Sequence, residues 1–309
     1  KKYHSCFYFF LLRTQPDDIA RGKKFVESKN MALKILSYPK SGNTWLRIFI
    51  ENLFRNTTEP AKINELGVVK HNDNSPNLFK QIIGHELETM TDSEIHQYRG
   101  AVQNHLATGN ETVFVKTHSA LQNFEGRPLI HLEHTAGAVY VIRNPFDMVI
   151  SFSDHYQISY DDAIEAIAAP SHRVNTTSQG IFQILAGWSN HYRGWFGVNN
   201  FSPHLMRYED MVRNPVKTFG RFNQFLGLPK NPERLRRAIR NSSFDEVSKQ
   251  EGVSGFSERS RPDQRFFRSG KVGGYKSILS EAQVTKIIHA HGDLLFEKGY
   301  ITKGGRPKF

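Results

Sequence analysis

Cysteine is nearly absent from the sequence, which limits both the covalent structure and the cellular setting. The chain of 309 residues contains one cysteine, Cys6, so no disulfide can form within it. Proteins that fold in oxidising compartments commonly carry disulfides, so this composition favours a reducing compartment, and we expect a cytoplasmic protein. The sequence does not begin with Met, which leaves a Golgi-lumenal or anchored form open.

Long apolar runs are also missing. No stretch approaches the roughly 20 apolar residues that a membrane-spanning helix needs, so we expect no membrane span. The most apolar local run is Cys6–Leu12, and no small-residue cleavage site follows it. We interpret this run as a packed strand or helix in an N-terminal extension over residues 1–30. The remnant of an anchor is the alternative.

Acidic residues are outnumbered by basic ones. The chain has 41 Lys and Arg against 30 Asp and Glu, which gives a net charge of +11. Such a balance favours an anionic partner, whether a phosphorylated cofactor, nucleic acid, an acidic glycan or a membrane surface. The hydrophobic fraction of 38% is typical of a globular protein with a sizeable core.

Four apolar segments have the character of buried strands, and helical patterns separate them. The predicted strands are Ala32–Tyr38, Thr112–Lys116, Ala138–Ile142 and Leu205–Tyr208, and the predicted helices are Trp45–Phe54, Asp147–Tyr156, Ile181–Phe196 and Pro215–Leu226. Alternation of strand and helix indicates a parallel sheet with helices on both faces. The predicted fold class is therefore α/β, a three-layer sandwich around a central parallel sheet.

Polar residues follow each predicted strand. They are Lys40 after the first strand, Lys116 and His118 at the second, Arg143 after the third, and Glu209 and Asp210 after the fourth. Because ligands of parallel sheets bind at the carboxyl ends of the strands, one edge of the sheet is predicted to hold the functional residues. Among these side chains, His118 is the one suited to take up a proton near neutral pH.

The loop after the first strand reads Y-P-K-S-G-N-T-W over residues 38–45. A strand that runs into such a loop and then into a helix has the geometry of a phosphate cradle. Free N–H groups at the helix start face the anion, Gly42 permits close approach and Lys40 supplies a charge. The Walker A pattern G-x-x-x-x-G-K-[ST] is not present in the sequence. An ordinary strand-to-helix turn is the alternative.

A second strand-to-helix junction repeats this plan at V-I-R-N-P-F-D, residues 141–147. Pro145 suits the first helical turn, and Asp147 suits the positive end of the helix dipole. Ser151 follows two turns later, on a face that could meet the same ligand as Arg143. The alternative is that Asp147 only caps the helix while Arg143 forms a surface ion pair.

Five ordered segments together resemble the sulfotransferase family that uses 3′-phosphoadenosine 5′-phosphosulfate (PAPS). Residues 38–45 resemble its 5′-phosphosulfate loop, and residues 143–151 (R-N-P-F-D-M-V-I-S) resemble its 3′-phosphate motif. The other segments are K-T-H at 116–118, R-Y-E-D-M at 207–211 and F-F-R-S-G-K-V-G-G-Y-K at 266–276. The resemblance covers roughly residues 32 to 300. It implies a P-loop NTPase-like fold, in a single domain that we assign to residues 1–309.

The resemblance also implies a role for each matching residue. The 5′-phosphosulfate would be held by Lys40, Ser41, Gly42, Asn43 and Thr44, and Trp45 would stack on the adenine. The 3′-phosphate would be bound by Arg143 and Ser151 and covered by Arg268, Ser269 and Gly270, while Tyr208, Ser242 and Phe244 would line the adenosine. His118 would remove the proton of the acceptor, Lys40 and Lys116 would stabilise the developing charge, and Ser151 would restrain Lys40 until an acceptor arrives. No metal is implied.

Several positions depart from the family pattern. Ser269 stands in place of the Lys of R-K-G, which removes a charge from the 3′-phosphate site. Gly274 and Tyr275 replace an Asp-Trp pair, so we expect a looser closure of this loop. The dimer signature K-x-x-x-T-V-x-x-x-E is largely lost from Lys276 onward, so that mode of dimerisation is not implied.

The resemblance implies sulfuryl transfer from PAPS to a hydroxyl or amine of a small-molecule or glycan acceptor. Two other functions are alternatives. A P-loop-like kinase would require the missing Walker A loop. A basic nucleic-acid-binding protein would use the run Arg259–Lys276, whose interleaved aromatic residues could stack on bases; we do not expect nucleic acid as a partner. The acceptor remains open, and Glu59–Met90 is a predicted excursion on its side. The acceptor would be set by residues near five aromatic side chains that could equally be core residues: Phe79, Tyr98, Phe152, Tyr156 and Trp188.

Overall fold

A five-stranded parallel sheet lies at the centre of the protein. The computed structural model describes residues 31–109, 111–261 and 263–309, so the predicted N-terminal extension and its run Cys6–Leu12 lie outside the described residues. The strands are β1 (Ala32–Ser37), β2 (His71–Asn72), β3 (Val113–Thr117), β4 (Asn123–Phe124), β5 (Arg127–Pro128), β6 (Thr135–Ile142), β7 (Arg173–Val174), β8 (Gln183–Ile184) and β9 (His204–Arg207). The central sheet has the order β2-β3-β1-β6-β9 with every pair parallel. The four predicted strands and the fold class are confirmed.

Helices cover both faces of this sheet. They are α1 (Asn43–Arg55), α2 (Pro76–Ile83), α3 (Asp92–His96), α4 (Arg99–Ala107), α5 (Pro145–Tyr156), α6 (Tyr160–Ala168), α7 (Trp188–Phe196), α8 (Tyr208–Arg213), α9 (Pro215–Phe225), α10 (Pro232–Asn241), α11 (Phe244–Ser254) and α12 (Glu281–Glu297), with short 3₁₀ turns at Leu132–His134 and Gly274–Ser277. In the described part of the chain, none of the helices combines the length and the apolar character needed to cross a bilayer.

Alternate residues of the central strands face opposite helical layers. In β1, Leu33 and Ile35 pack in a core with α1, α9 and α10, whereas Leu36 packs in a second core with α5, α6, α7 and α12. Successive side chains of a strand point to opposite faces, and here both faces are covered. All six residues of β1 are therefore buried.

The predicted helix Ile181–Phe196 is wrong in its first half. Residues 183–184 form β8, which pairs with β7, and the helix begins only at Trp188. Ala186 has a left-handed φ of 57°, which interrupts any helix at that point. The apolar run was misleading because these residues are buried by tertiary contacts, for example the hydrogen bond from Ala120 N to Ile184 O at 2.8 Å.

Buried histidines should make the stability of the fold fall in mild acid. Burial lowers the pKa of His191, His204 and His291 to about 4, whereas an unfolded histidine titrates near 6.5. The unfolded state therefore takes up protons first as the pH falls. The free energy of unfolding is therefore highest above about pH 6.5, and it falls as the pH is lowered toward 4. Each group should contribute a slope of about 1.4 kcal/mol per pH unit, measurable by urea unfolding.

His291 on α12 allows the pH dependence of unfolding to be tested at a single histidine. His291 is buried and hydrogen-bonded to Ser189 Oγ at 2.9 Å, whereas His289 on the same helix is exposed. His291→Gln should remove about one proton from the pH dependence of unfolding, and His289→Gln should leave it unchanged. Equal slopes in wild type and His291→Gln would contradict the assignment.

Candidate active site

A cavity of about 920 Å³ opens at the carboxyl edge of the central sheet. The predicted site residues that line it are Lys40, Gly42, Asn43, Thr44, Trp45, Lys116, His118, Arg143, Ser151, Tyr208, Phe244, Arg268, Ser269 and Gly270. Two predicted residues, Ser41 and Ser242, are fully buried and do not line it. The structure thus brings residues from five separate sequence motifs to one concave surface.

The loop between β1 and α1 presents backbone N–H groups to this cavity. Gly42 caps α1 with a φ of 109°, a conformation that favours glycine, and a Cβ there would lie 2.7 Å from the Tyr208 ring. Asn43 Nδ2 donates to the Ile35 carbonyl at 3.1 Å, which ties the loop to β1. Among the described residues, the buried Ser41 Oγ has no hydrogen-bond partner. The arrangement is an anion cradle at a helix N-terminus.

Two lysines beside this cradle have lowered pKa values. Burial, and then the nearby charges of Lys116 and Arg143, lower the pKa of Lys40 to about 8, although Glu258 opposes the shift. Burial likewise lowers the pKa of Lys116. Lys40 Nζ lies 3.8 Å from the centroid of the Phe266 ring. An anion bound here would favour the charged form of both ammonium groups, because an opposite charge stabilises it.

Glu258 places a carboxylate against the same cradle. It accepts from Thr44 Oγ1 at 3.1 Å and from Arg47 Nη1 at 2.6 Å, and it lies 3.9 Å from Lys116 Nζ. Burial acts against its charge, but Lys116 and Arg47 outweigh burial and hold the pKa of Glu258 far below its usual range. The cradle therefore already attracts an anionic group in the ligand-free protein.

His118 is oriented by the backbone of β1. Its Nδ1 donates to the Ser37 carbonyl at 2.7 Å, which leaves Nε2 as the nitrogen with a free lone pair. Burial, and then the charge of Lys116, lower the pKa of His118 to about 3, so the imidazole is neutral at physiological pH. On its other side, His191 Nε2 donates to the His118 carbonyl at 3.0 Å. His118 thus has the tautomer and charge state of a general base.

The amino-terminal end of α5 lies next to that of α1. Arg143 Nη1 donates to the Lys40 carbonyl at 3.2 Å, and its guanidinium lies 4.4 Å from the centroid of the Tyr208 ring. Asn144 caps α5 by accepting from Asp147 N at 3.0 Å. The predicted alternative, in which Arg143 forms only a surface ion pair, does not match this geometry. The two predicted anion-binding loops form one continuous wall.

Asp147 fixes the C-terminal motif against this wall instead of only capping α5. Its carboxylate accepts from Gly273 N at 2.7 Å and from Tyr275 N at 3.0 Å. Tyr275 is 3% exposed, its ring stacks on Phe146 with centroids 5.0 Å apart, and its hydroxyl donates to the Phe309 carbonyl. These contacts hold the loop against α5 in the ligand-free protein, and the expected looser closure over a bound nucleotide stays a prediction.

Aromatic side chains form the remaining wall. Trp45 Nε1 donates to the Ser242 carbonyl at 2.7 Å, and the Trp45 ring meets Tyr208 edge-on at 5.6 Å between centroids. Gly270 has a φ of 61°, and a Cβ there would lie 2.5 Å from Phe244. Ser242 contributes its carbonyl, while its Oγ donates to the Ala238 carbonyl. These contacts hold the Trp45 and Phe244 rings in the lining of the cavity.

Several cavity residues have no signal in the sequence. Glu258 and Arg47 meet across 211 positions of the chain, so no local pattern connects them. His155 lines the cavity on α5, and burial followed by Lys40 lowers its pKa to about 4. Of the five aromatic candidates for the acceptor side, Tyr156 lines the cavity. Phe79, Phe152 and Trp188 lie in the core, the alternative that the sequence left open, and Tyr98 is exposed outside the cavity lining.

The basic run Arg259–Lys276 does not form a stacking surface for bases. Phe267 and Tyr275 are 8% and 3% exposed, and Phe266 packs against Phe256 and Phe267. Arg259 pairs with Glu251 at 2.8 Å and Arg268 lies 3.8 Å from Asp154. Two of the three aromatic side chains that supported the nucleic-acid alternative, Phe267 and Tyr275, are therefore too buried to stack on bases, and the third, Phe266, lines the cavity.

Comparison with known proteins identifies the family. The family described as the sulfotransferase domain matches residues 32–295. Flavonol 3-sulfotransferase of Flaveria bidentis is 25% identical over 87% of this chain and 83% of its own length, and cytosolic sulfotransferase 5 of Arabidopsis thaliana is 22% identical over 93% and 85%. The fold resembles that of a mouse sulfotransferase complexed with PAP, with a TM-score of 0.57 at 18% identity over 87% of this chain and 85% of that one. The chain therefore belongs to the sulfotransferase family, as its five motifs predict.

Proposed function

We propose that in this sulfotransferase the cavity is the site where the sulfuryl group of PAPS moves to a hydroxyl or amine of an acceptor, leaving PAP and a sulfated product. The observation that carries the proposal is the junction of the Lys40 loop with Arg143, joined by a hydrogen bond of 3.2 Å. One nucleotide with phosphates at both ends can meet both helix starts only if they are neighbours, as they are here.

The side chains of the cavity fit such a nucleotide. The donors of the first loop suit the 5′-phosphosulfate, and Arg143, Ser151 and Arg268 suit the 3′-phosphate. Among the described residues, the buried Ser41 Oγ and Arg143 Nε have no hydrogen-bond partner. The Trp45 and Phe244 rings line the same cavity and suit the adenine. When bound, PAPS would supply an activated sulfuryl group on a good leaving group.

The reaction assigns separate tasks to the residues beside the cradle. His118 Nε2 accepts the proton of the acceptor hydroxyl or amine while Nδ1 remains bonded to the Ser37 carbonyl. Lys40 and Lys116 stabilise the negative charge that develops on the sulfuryl and bridging oxygens. Ser151 lines the cavity on α5 and, as the sequence predicts, restrains Lys40 before the acceptor binds. Most of the catalysis then comes from position and charge.

Arg143→Ala tests whether the arginine that precedes α5 binds the 3′-phosphate. The variant should weaken PAP binding by about 10–100-fold, the range for losing one charge-assisted contact of roughly 1.5–3 kcal/mol. Its affinity for AMP, which lacks the 3′-phosphate, should change by less than about threefold. Titration calorimetry with both nucleotides measures this difference. Arg236→Ala, an exposed arginine on α10, is the matched control.

An equal loss for PAP and AMP would instead mean that Arg143 only supports the Lys40 loop through its hydrogen bond to that carbonyl. Failure of the wild-type chain to bind PAP, together with no transfer of labelled sulfate from PAPS to any acceptor, would refute the proposed function itself.

Glu258→Gln should strengthen PAP binding. The carboxylate competes with the nucleotide for Thr44 and Lys116, and the isosteric amide keeps its shape but not its charge. We expect a Kd lower by about tenfold, equivalent to roughly 1.4 kcal/mol, by calorimetry at fixed ionic strength. Glu65→Gln, which removes an exposed carboxylate paired with Lys62, should have no effect. A Kd that rises would show that Glu258 orients Lys116 and does not compete.

The setting of the reaction is also a proposal. Several curated relatives carry the word cytosolic in their names, among them the Arabidopsis thaliana protein, which supports a cytoplasmic enzyme with a small-molecule or glycan acceptor. Fractionation of cells that express the untagged chain checks this placement. Recovery in a lumenal fraction would contradict it.

A further inference from the structure

The part of the cavity next to His118 is walled by two segments. Asn72 pairs with Lys116 in the β2–β3 ladder, and Asp73 N donates to the Lys116 carbonyl at 3.2 Å, so residues 72–74 run beside the strand that carries His118. The Ile184 carbonyl accepts from Ala120 N at 2.8 Å, two residues after His118, which places the end of residues 174–183 at the same edge of the sheet. These two segments, which we call the acceptor wall, line the cavity close to the strand that leads to His118.

The side chains of the acceptor wall are mainly neutral and polar. Those that line the cavity with an amide or a hydroxyl are Asn72, Asn74, Asn175, Thr177, Gln179 and Gln183. The other lining residues that the structure places in these two segments are Val174, Gly180 and Ile181, so none of the described wall residues that line the cavity has an ionic side chain. Each amide offers both donors and an acceptor, as does each hydroxyl of a ligand.

Two of these amides each have a buried atom with no hydrogen-bond partner. In the described residues these atoms are Asn74 Oδ1 and Gln183 Nε2; Gln183 is only 7% exposed, whereas Asn74 is half-buried. One atom is an acceptor and the other a donor, and a buried polar group left unpaired costs about 1–3 kcal/mol. A rotation of either amide toward the cavity would let a ligand that both donates and accepts pair with these atoms.

The position of Asn74 is fixed by contacts with the 174–183 segment. Its carbonyl accepts from Ile181 N at 3.0 Å, and a Cβ on Gly180 would lie 2.8 Å from Asn74 Nδ2. The turn that holds Gly180 is closed by a hydrogen bond from Thr177 N to the Gly180 carbonyl at 2.8 Å. The amide of Asn74 is therefore held in place before a ligand arrives, and this lowers the entropy lost on binding.

We propose that the acceptor is a neutral polyhydroxylated molecule of the carbohydrate class, an inference that rests on the proposed function of the cavity. A flat apolar acceptor would remove water from the amides without replacing its hydrogen bonds. A site built to hydrogen-bond its substrate discriminates strongly against an analogue that lacks those groups. The acceptor wall thus selects an acceptor unlike the flavonol named for one relative.

The experiment compares two classes of acceptor on the full chain. Transfer of labelled sulfate from PAPS is measured with a panel of neutral methyl glycosides and disaccharides, and with 2-naphthol and a 3-hydroxysteroid. We expect kcat/KM for at least one glycoside to exceed that for either apolar acceptor by about tenfold or more, on the scale of one or more specific hydrogen bonds.

Variants of the acceptor wall locate the effect. Gln183→Leu should raise KM for that glycoside by about 10–100-fold, while the Kd for PAP stays within twofold of wild type. Asn175→Leu alters an exposed residue of the same wall and should raise KM in the same direction without a risk to folding. Gln97→Leu, an exposed glutamine outside the cavity, should change neither quantity.

Turnover of 2-naphthol or the steroid that equals or exceeds that of every glycoside would overturn the acceptor class. So would the absence of glycoside transfer in a protein that binds PAP, or unchanged glycoside KM in both wall variants. In each of these outcomes the proposed sulfotransferase site would stand. Only a wild-type chain that fails to bind PAP and to use PAPS with any acceptor would refute that site as well.

Discussion

Replacing His118 with alanine is expected to lower kcat by roughly 10²–10⁴-fold, the usual contribution of a positioned general base, while PAP binds within about twofold of wild type. The reason is geometric. The hydrogen bond from Nδ1 to the Ser37 carbonyl, at 2.7 Å, leaves Nε2 unprotonated. Alanine removes the base without touching the nucleotide side of the cavity.

His155→Ala is the matched control, because it removes the other histidine that lines the cavity. We expect it to lower kcat by less than about tenfold, below the range for a general base. Labelled-sulfate turnover gives kcat, and calorimetry with PAP gives the affinity. Equal loss of turnover and PAP binding in His118→Ala would show that His118 has a structural role.

The pH profile supplies a second readout for His118. Burial and Lys116 lower its pKa to about 3 in the ligand-free protein, so its protonation should not reduce kcat/KM between pH 8 and pH 5. Bound negative charge would raise that pKa, so any acid limb belongs to kcat and not to the free enzyme. An acid limb of kcat/KM near pH 6.5 that persists in His155→Ala would contradict this assignment.

Lys40→Ala should impair both binding and chemistry. Loss of its charge-assisted contact should raise the Kd for PAP by about 10–100-fold. Removal of a cation beside the developing charge should lower kcat by about 10²-fold or more. Calorimetry and labelled-sulfate turnover measure the two effects on the same preparation. Unchanged kinetics would refute the assignment of the loop.

The lowered pKa of Lys40, about 8, adds a pH signature to this variant. The ammonium loses its proton as the pH rises through that value, so PAP affinity of the wild type should fall above about pH 8. Lys40→Ala should lack this loss. Lys70→Ala, an exposed lysine at the amino end of β2, is the control and should follow the wild type.

Elements whose conformation depends on neighbouring residues could be predicted from the sequence. The apolar strand, the positive φ required at Gly42 and the following helix start are all encoded within a few residues, so the Lys40 loop could be predicted. The same holds for Arg143 at the start of α5. Ile181–Phe196 was predicted wrongly because apolar residues buried by distant contacts can form a short strand as readily as a helix.

Long-range partners could not be predicted in this way. Glu258 belongs to an irregular segment, and only the fold brings its carboxylate to Thr44 and Arg47. Asn74 and Gln183 could not be told from ordinary surface amides until the fold placed both in the lining of the cavity that also contains His118. Phe152 and Trp188 were equally compatible with ligand contact and with the core, and the structure places both in the core, since aromatic composition alone does not reveal which face of a helix packs inward.

The family, the strands of the sheet and the two predicted anion-binding helix starts could be recognised from the sequence, because the signal for each lies within a few adjacent residues. The contact of Arg143 with the Lys40 loop, the Glu258 carboxylate beside Thr44 and the neutral amides in the cavity lining are seen only in the folded protein. Those features join residues far apart in sequence, and their contacts exist only once the strands have been ordered and both faces of the sheet have been covered.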